Sequence, residues 1–365
     1  MKITAVTTFA ISTPMIVSGD TPMVGGRPRT TMETLLVRVD TDAGISGWGE
    51  AFGHRVWPVT RVAIDRMLAP LCVGRDPTAI TALMYDLAHA VHGAGRNGPA
   101  MYGMSAIDIA LWDIAGKIAN LPIYRLLGGS PRADLPAYAS LLRYGKVAAV
   151  EKYTAEALGR GYRLIKLHEI VPDIIRASRK VTGSGIPLMV DCSTPWTAAE
   201  AIAKCRELRE LDLEWLEEPV WPPEDHAALA RVRAAGGIPV AAGENVGSLN
   251  EFQRLFERGS LDIAQPSVTK VGGITEMMKV FALGEAHGVR VVPHSAYFGP
   301  GLLASIHVCA AQAREVWVER FYCDFKETPF GDAINPQNGR IAIPQGPGLG
   351  IDPDPALLKQ FAVES

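Results

Sequence analysis

Two rhythms of apolar and polar positions divide the chain. The N-terminal twenty residues, MKITAVTTFAISTPMIVSGD, read as a chain that begins with a β-strand. The stretch METLLVRVDTDAGISGWGEA alternates as a hairpin does, with DTDAG as its turn, and SAIDIALWDIAGKIANLPIYRLLGG then repeats apolar residues at helical spacing. Strands followed by helices predict an α+β unit.

From about Pro136 the rhythm changes. Short apolar runs recur as PAYAS, LIKLH, PLMVD, LEWLE, PVAAGE, DIAQP, VRVVPH and VWVER, spaced by about 25 residues, with helical stretches such as TAAEAIAKCRELRELD between them. Eight strands alternating with helices predict a (β/α)8-type TIM barrel, whose reactive groups sit at the C-terminal ends of the strands. After about Phe325 the chain is rich in Pro and Gly and has little core of its own. The expected organisation is an α/β chain with a capping domain over 1–130, a barrel over 131–325, and a C-terminal segment, 326–365, that packs back on the cap.

Composition narrows the function classes. The 365 residues carry a formal charge of −3 with no basic stripe, which argues against nucleic acid as a partner. No stretch nears the roughly 20 apolar residues that span a bilayer, and the N-terminus has no cleavage signal, so no membrane partner and a cytoplasmic location are expected. Five cysteines without C-x-x-C spacing suggest reduced thiols rather than a disulfide framework or a zinc cage.

Three barrel runs end in carboxylates: Asp191, Glu217 and Glu244, separated by 26 and 27 residues. Each alone could cap the helix that follows it. Three in register on consecutive strands instead converge at the barrel mouth, where mutual repulsion demands a counter-charge. An all-oxygen set favours Mg²⁺. Glu218 is expected on the opposite face, in a structural role.

Lys166 and His168 close the second strand and share one face, where an apolar lining does not hold charge without a partner. His294 ends the seventh strand, opposite the second and third across the ring, and Glu319 ends the eighth. His307 and His287 read as core residues; His89, His92 and His226 read as surface or helix residues. A divalent cation flanked by acid/base groups suits removal of the proton next to a carboxylate, with Lys166 neutralising the carboxylate oxygen. Cap residues Arg27, Arg29, His54, Arg96 and Tyr102 are candidates for holding substrate hydroxyls.

With these residues placed, the chain resembles the enolase superfamily, in particular its mandelate racemase-like sugar-acid dehydratases. GISGWGEA and the SAIDIALWDIAGK helix resemble its cap; VDCSTPW, WLEEPV, AAGEN, KVGGITE and VVPHS resemble its strand ends; IPQGPGLGI resembles its ending. The resemblance implies a modified barrel of eight strands and seven helices. It implies Mg²⁺ on Asp191, Glu217 and Glu244, an acid/base at His294, and a hydrogen-bonding electrophile at Glu319. It also implies a Lys or His base acting with the metal on an enediolate, a small-molecule carboxylate substrate, and a homo-oligomer.

Three departures from the family pattern bear on proton transfer. His168 stands where the second lysine of Lys-x-Lys is usual, Ser267 replaces the Asp that pairs with the seventh-strand His, and Ser193 replaces an Asn after the metal Asp. Ser193 and Ser267 join the candidates for substrate contact. Ser267 cannot stabilise an imidazolium as a carboxylate does. His168, by contrast, has an unperturbed pKa of about 6.5 and can be a base at neutral pH. The base is therefore expected at His168, with His294 assisting loss of a β-hydroxyl. The leading expectation is dehydration of a sugar acid to a 2-keto-3-deoxy acid. Cycloisomerisation of a sugar-acid lactone or anhydro-sugar acid, racemisation or epimerisation, and a non-catalytic metal- and acid-sugar-binding protein are the alternatives.

Overall fold

The computed structural model describes residues 1–17, 21–24 and 26–363. The first strand, Ile3–Ile16, pairs antiparallel with Thr31–Thr41, which turns back into Ser46–Ala51. The turn is made at Gly44, whose φ of +74° suits a residue without a side chain. Gly47 and Gly49 explain the small residues of the third strand. A Cβ at Gly49 would lie 1.9 Å from the Ala106 carbonyl oxygen and one at Gly47 2.1 Å from that of Ala110, so the sheet lies flush against a long helix.

That helix, Pro99–Ala119, starts with a proline in its first turn and ends at Asn120 in the left-handed region. It is apolar on nearly all sides because it lies between the cap sheet and the barrel. Its two buried aspartates fasten the units together. Asp108 accepts from the N–H and hydroxyl of Thr275 on a barrel helix, and Asp113 accepts from the N–H groups of Trp48 (2.9 Å) and Leu349 (2.8 Å).

Eight parallel strands form the second unit: Asp134–Ser140, Ile165–Leu167, Leu188–Asp191, Trp215–Glu217, Val240–Ala242, Ile263–Ala264, Arg290–Val291 and Val318–Phe321. They pair in the order seventh to first and then eighth. Seven helices separate them, Val147–Gly159 through Pro300–Ala310, as a barrel with one helix fewer than strands requires. No ladder joins the seventh and eighth strands among the described residues; a hydrogen bond from the Ser295 N–H to Glu319 Oε2 (2.7 Å) spans that seam.

Inside the ring, Tyr138, Leu164, Met189, Trp215, Ala241, Ile263 and Val292 form a closed apolar plug beneath the mouth. Past the eighth strand, Asp324–Phe325 pairs with Met15–Ile16 of the cap sheet. The tail then adds Arg340–Ala342 antiparallel to the first barrel strand, and its end bonds to the cap at Ser12 and Ala10. The cysteines are all free and buried. No helix among the described residues is long and apolar enough to cross a membrane.

Candidate active site

The mouth collects the strand-end carboxylates. Asp191 and Glu217 close the third and fourth strands, while Glu244 lies two residues beyond the fifth. One ligand atom of each lies within 4.8 Å of the others. Donors orient every carboxylate. The N–H of Ser193, which adopts φ +55°, binds Asp191 Oδ1 (2.8 Å); Trp215 Nε1 (3.0 Å) and Gln265 Nε2 (2.8 Å) bind Glu217 Oε2. Asn245 Nδ2 (3.1 Å) and Lys270 Nζ (3.3 Å) bind Glu244 Oε1.

The electrostatics fit a cation. Burial raises the Asp191 carboxyl to about 6 and the Glu217 carboxyl to about 7; neighbouring carboxylates add to the rise and Lys166 opposes it. Glu244 is also buried, but His294 and Lys270 drive its carboxyl well below the usual range. Three buried oxygen donors that repel one another accommodate a hard divalent ion, whose charge would remove that repulsion.

Lys166 lies deepest, with no exposed side-chain surface. Its Nζ is 2.7 Å from Glu319 Oε1, 2.9 Å from Glu217 Oε1 and 3.8 Å from Asp191 Oδ2. Burial alone would discharge the amine, but Glu217 and Glu319 override it and hold the amine charged, well above the ordinary lysine range. Glu319 accepts from Lys166, the Ser140 hydroxyl (2.7 Å) and the Ser295 N–H. Burial opposes ionisation, yet Lys166 brings the carboxyl down to about 2, so the group accepts hydrogen bonds and donates none.

The two histidines flank the carboxylates from different sides. His168 lies one residue past its strand, with Nε2 3.4 Å from Asp191 Oδ2 and Nδ1 2.6 Å from the Leu141 carbonyl oxygen. His294, three residues past its strand, has Nε2 3.1 Å from Glu244 Oε2 and Nδ1 3.3 Å from Ser267 Oγ. Burial lowers the pKa of both; Lys166 adds to the fall at His168, whereas Glu244 works against it at His294. Neither gains from a carboxylate bonded at Nδ1.

The cap contributes unevenly. His54, at φ +37°, meets Phe52 at a tilt of 57° with ring centroids 5.0 Å apart, and the Phe52 ring also meets Tyr102 and lies 4.2 Å from Lys270 Nζ. Burial, then the charges of Lys270 and Arg29, push the His54 imidazole down to about 3, so it is neutral. Arg29 is nearly enclosed and pairs with Glu33 at 3.1 Å. Arg27 is exposed on the ribbon formed with Met23–Val24. Arg96 is also exposed, although its neighbour Asn97 bonds to the Asn245 carbonyl (3.1 Å). The structure therefore brings His54, Tyr102 and Ser193 to the mouth, leaves Arg27 and Arg96 exposed, and encloses Ser267 behind His294, away from any substrate contact.

Three expectations need correction. The resemblance implied a hydrogen-bond donor at Glu319, but Lys166 holds that carboxyl ionised, and it accepts only. Glu218 does not point away: φ +45° turns it towards the cluster, where it accepts from Asn245 Nδ2 (3.5 Å), and burial plus repulsion from Glu244 raise its carboxyl far above normal. His287 is not in the core but exposed at the end of its helix, beside Phe256. His307 is a core residue, paired with Leu349 O and the Tyr124 N–H. Sequence reasoning missed Lys270 and Tyr297. Their only local signal is position: Lys270 sits between Ser267 and the Gly-Gly of the sixth loop, and Tyr297 lies three residues after His294.

A barrel whose mouth gathers three carboxylates, a buried lysine and two opposed histidines beneath an α+β cap has the makings of an active site whose carboxylates could hold a metal ion. The comparisons give the family. Residues 149–357 match the Enolase C-terminal domain-like family, and residues 15–128 match the Mandelate racemase / muconate lactonizing enzyme N-terminal domain, so the chain belongs to the mandelate racemase-like enolase superfamily. It is 31% identical over 358 residues to an arabinonate dehydratase of Saccharolobus solfataricus, covering 95% of each chain. It is 32% identical to a D-galactarolactone cycloisomerase of Agrobacterium fabrum, covering 99% of each. Among solved structures, the L-talarate dehydratase of a Polaromonas species, complexed with Mg and L-glucarate, superposes with a TM-score of 0.85 at 29% identity, covering 100% of this chain and 98% of that one. The chain is an enzyme of the dehydratase type, with isomerase the alternative.

Proposed function

We propose that the enzyme removes the proton α to the carboxylate of a sugar acid and then expels the β-hydroxyl, giving a 2-keto-3-deoxy acid. Asp191, Glu217 and Glu244 would hold Mg²⁺, which supplies positive charge to the substrate carboxylate as the enediolate forms. Lys166 adds a fixed cation on the same side. Glu319, ionised and bonded to Lys166, positions that amine.

One observation carries the assignment of the base. The Leu141 carbonyl can only accept, so His168 Nδ1 must carry a hydrogen, and in the neutral ring Nε2 is then bare and turned to the mouth. That is the arrangement a base needs. On the other side, His294 Nε2 faces Glu244 Oε2, which suits a nitrogen that carries hydrogen and gives it to the departing hydroxyl. His54, Tyr102 and Ser193 would meet substrate hydroxyls.

The test is incubation with Mg²⁺ and a panel of sugar acids, their lactones and anhydro-sugar acids in D₂O. Deuterium at the α-carbon with keto-acid formation supports dehydration. Deuterium in an isomeric product without elimination supports the cycloisomerase reading, which the Agrobacterium relative favours. Binding with neither outcome defeats both.

A further inference from the structure

We propose that Tyr297 is a positioning residue that sets the orientation and tautomer of His294 through Ser267. This rests on the proton-transfer role proposed above for His294. The seventh-strand histidine lacks a carboxylate at Nδ1, yet its ring is not left unsupported. Ser267 Oγ lies 3.3 Å from His294 Nδ1, and the same oxygen shares a short hydrogen bond with the Tyr297 hydroxyl. Ser267 is fully buried and Tyr297 almost so. The tyrosine ring also meets the His294 ring edge-on, with centroids 6.0 Å apart and planes at 88°.

A serine hydroxyl has one hydrogen to donate and cannot serve both neighbours with it. If the tyrosine donates to Ser267, the serine hydrogen is free to point at His294 Nδ1. That nitrogen is then an acceptor, and in the neutral ring the hydrogen resides on Nε2, which faces Glu244 Oε2 at 3.1 Å. The chain Tyr297 to Ser267 to His294 thus gives His294 the opposite tautomer to His168. The tyrosine is itself clamped. A Cβ at Gly301 would lie 3.0 Å from Tyr297 Cγ, and the Gly301 N–H is held by Glu50 Oε2 (2.9 Å), so the ring has little room to turn away.

Tyr297→Phe keeps the ring and removes the hydroxyl. On a substrate found in the panel, kcat for elimination should fall about 10- to 100-fold, as expected for loss of a group that orients a reacting side chain. KM and α-proton exchange should change less than threefold. Ser267→Ala should cost a similar factor, and the double variant no more than either single one, because both act on the same chain. Multiplicative losses, or equal losses of exchange and elimination with a lowered melting temperature, would overturn the proposal.

A second readout does not depend on activity. In the ¹⁵N spectrum of ring-labelled histidines, with His294 identified by its disappearance in His294→Asn, the wild-type ring should be a single Nε2–H tautomer. In Tyr297→Phe it should become a mixture. An unchanged single tautomer in Tyr297→Phe overturns the proposal. If the spectrum behaves as expected but no sugar acid is turned over, the proposed function fails while the positioning of His294 stands.

Discussion

Replacing Lys166 with methionine probes the electrostatics of the mouth most sharply. The substitution keeps bulk and removes the cation that lies 2.7 Å from Glu319 and 2.9 Å from Glu217. Breaking a buried ion pair on one side costs about 3–5 kcal/mol, because the remaining charge is left unpaired. The Glu319 carboxyl gives an independent figure. Its fall from 4.5 to about 2, at about 1.4 kcal/mol per unit of pKa, corresponds to about 3 kcal/mol of stability. The sign follows from the depressed native pKa: this stabilisation is complete above pH 4.5 and is lost as pH falls towards 2. In metal-free urea denaturation the variant should therefore be about 3 kcal/mol less stable at pH 7. The gap should narrow as the pH falls below 4.5. A gap under about 0.5 kcal/mol at pH 7, or one that widens on acidification, would refute Lys166 as the counter-ion of Glu319 and Glu217.

Other expectations follow from neighbouring features. Asp191→Asn and Glu244→Gln should each weaken Mg²⁺ binding by at least about tenfold by calorimetry, since each removes a charged oxygen donor from a set of three. His307 is buried neutral with its pKa lowered to about 4, so the unfolded chain binds its proton more readily. The contribution of about 3 kcal/mol is present above pH 6.5 and lost as pH falls towards 4, and His307→Gln should flatten that part of the stability–pH curve. Gly49→Ala should lower the melting temperature, because its Cβ would meet the Ala106 backbone at 1.9 Å. A matched Gly74→Ala, at φ +83° with no neighbour within 4 Å, isolates backbone strain from this clash.

Much of the fold was legible because its signals are local. The eight apolar runs, all but one closed by a polar residue, carry the barrel, and the DTDAG turn carries the cap hairpin. The carboxylates were readable because a 26- or 27-residue interval returns the chain to the same face one strand later. Glu218 was misread because strict alternation assumes extended backbone, and φ +45° breaks it just where the strand ends. His287 was misread because a lone histidine reads as a core residue, and the sequence does not say which side of a helix end faces solvent. Lys270 and Tyr297 were missed for another reason. Their importance lies in what they touch, Glu244 and Phe52 for the lysine and Ser267 for the tyrosine, and those contacts join different loops. The reach of cap residues is likewise tertiary: His54 arrives at the mouth while Arg27 and Arg96 stay exposed, and no local pattern separates them.

Exchange of the α-proton in His168→Asn and His294→Asn tests the central claim most directly. With Mg²⁺ and a competent sugar acid in D₂O, His168→Asn should show no deuterium incorporation, and His294→Asn should still exchange while eliminating slowly. Exchange that survives in His168→Asn and vanishes in His294→Asn would contradict the account and place the base on the seventh strand.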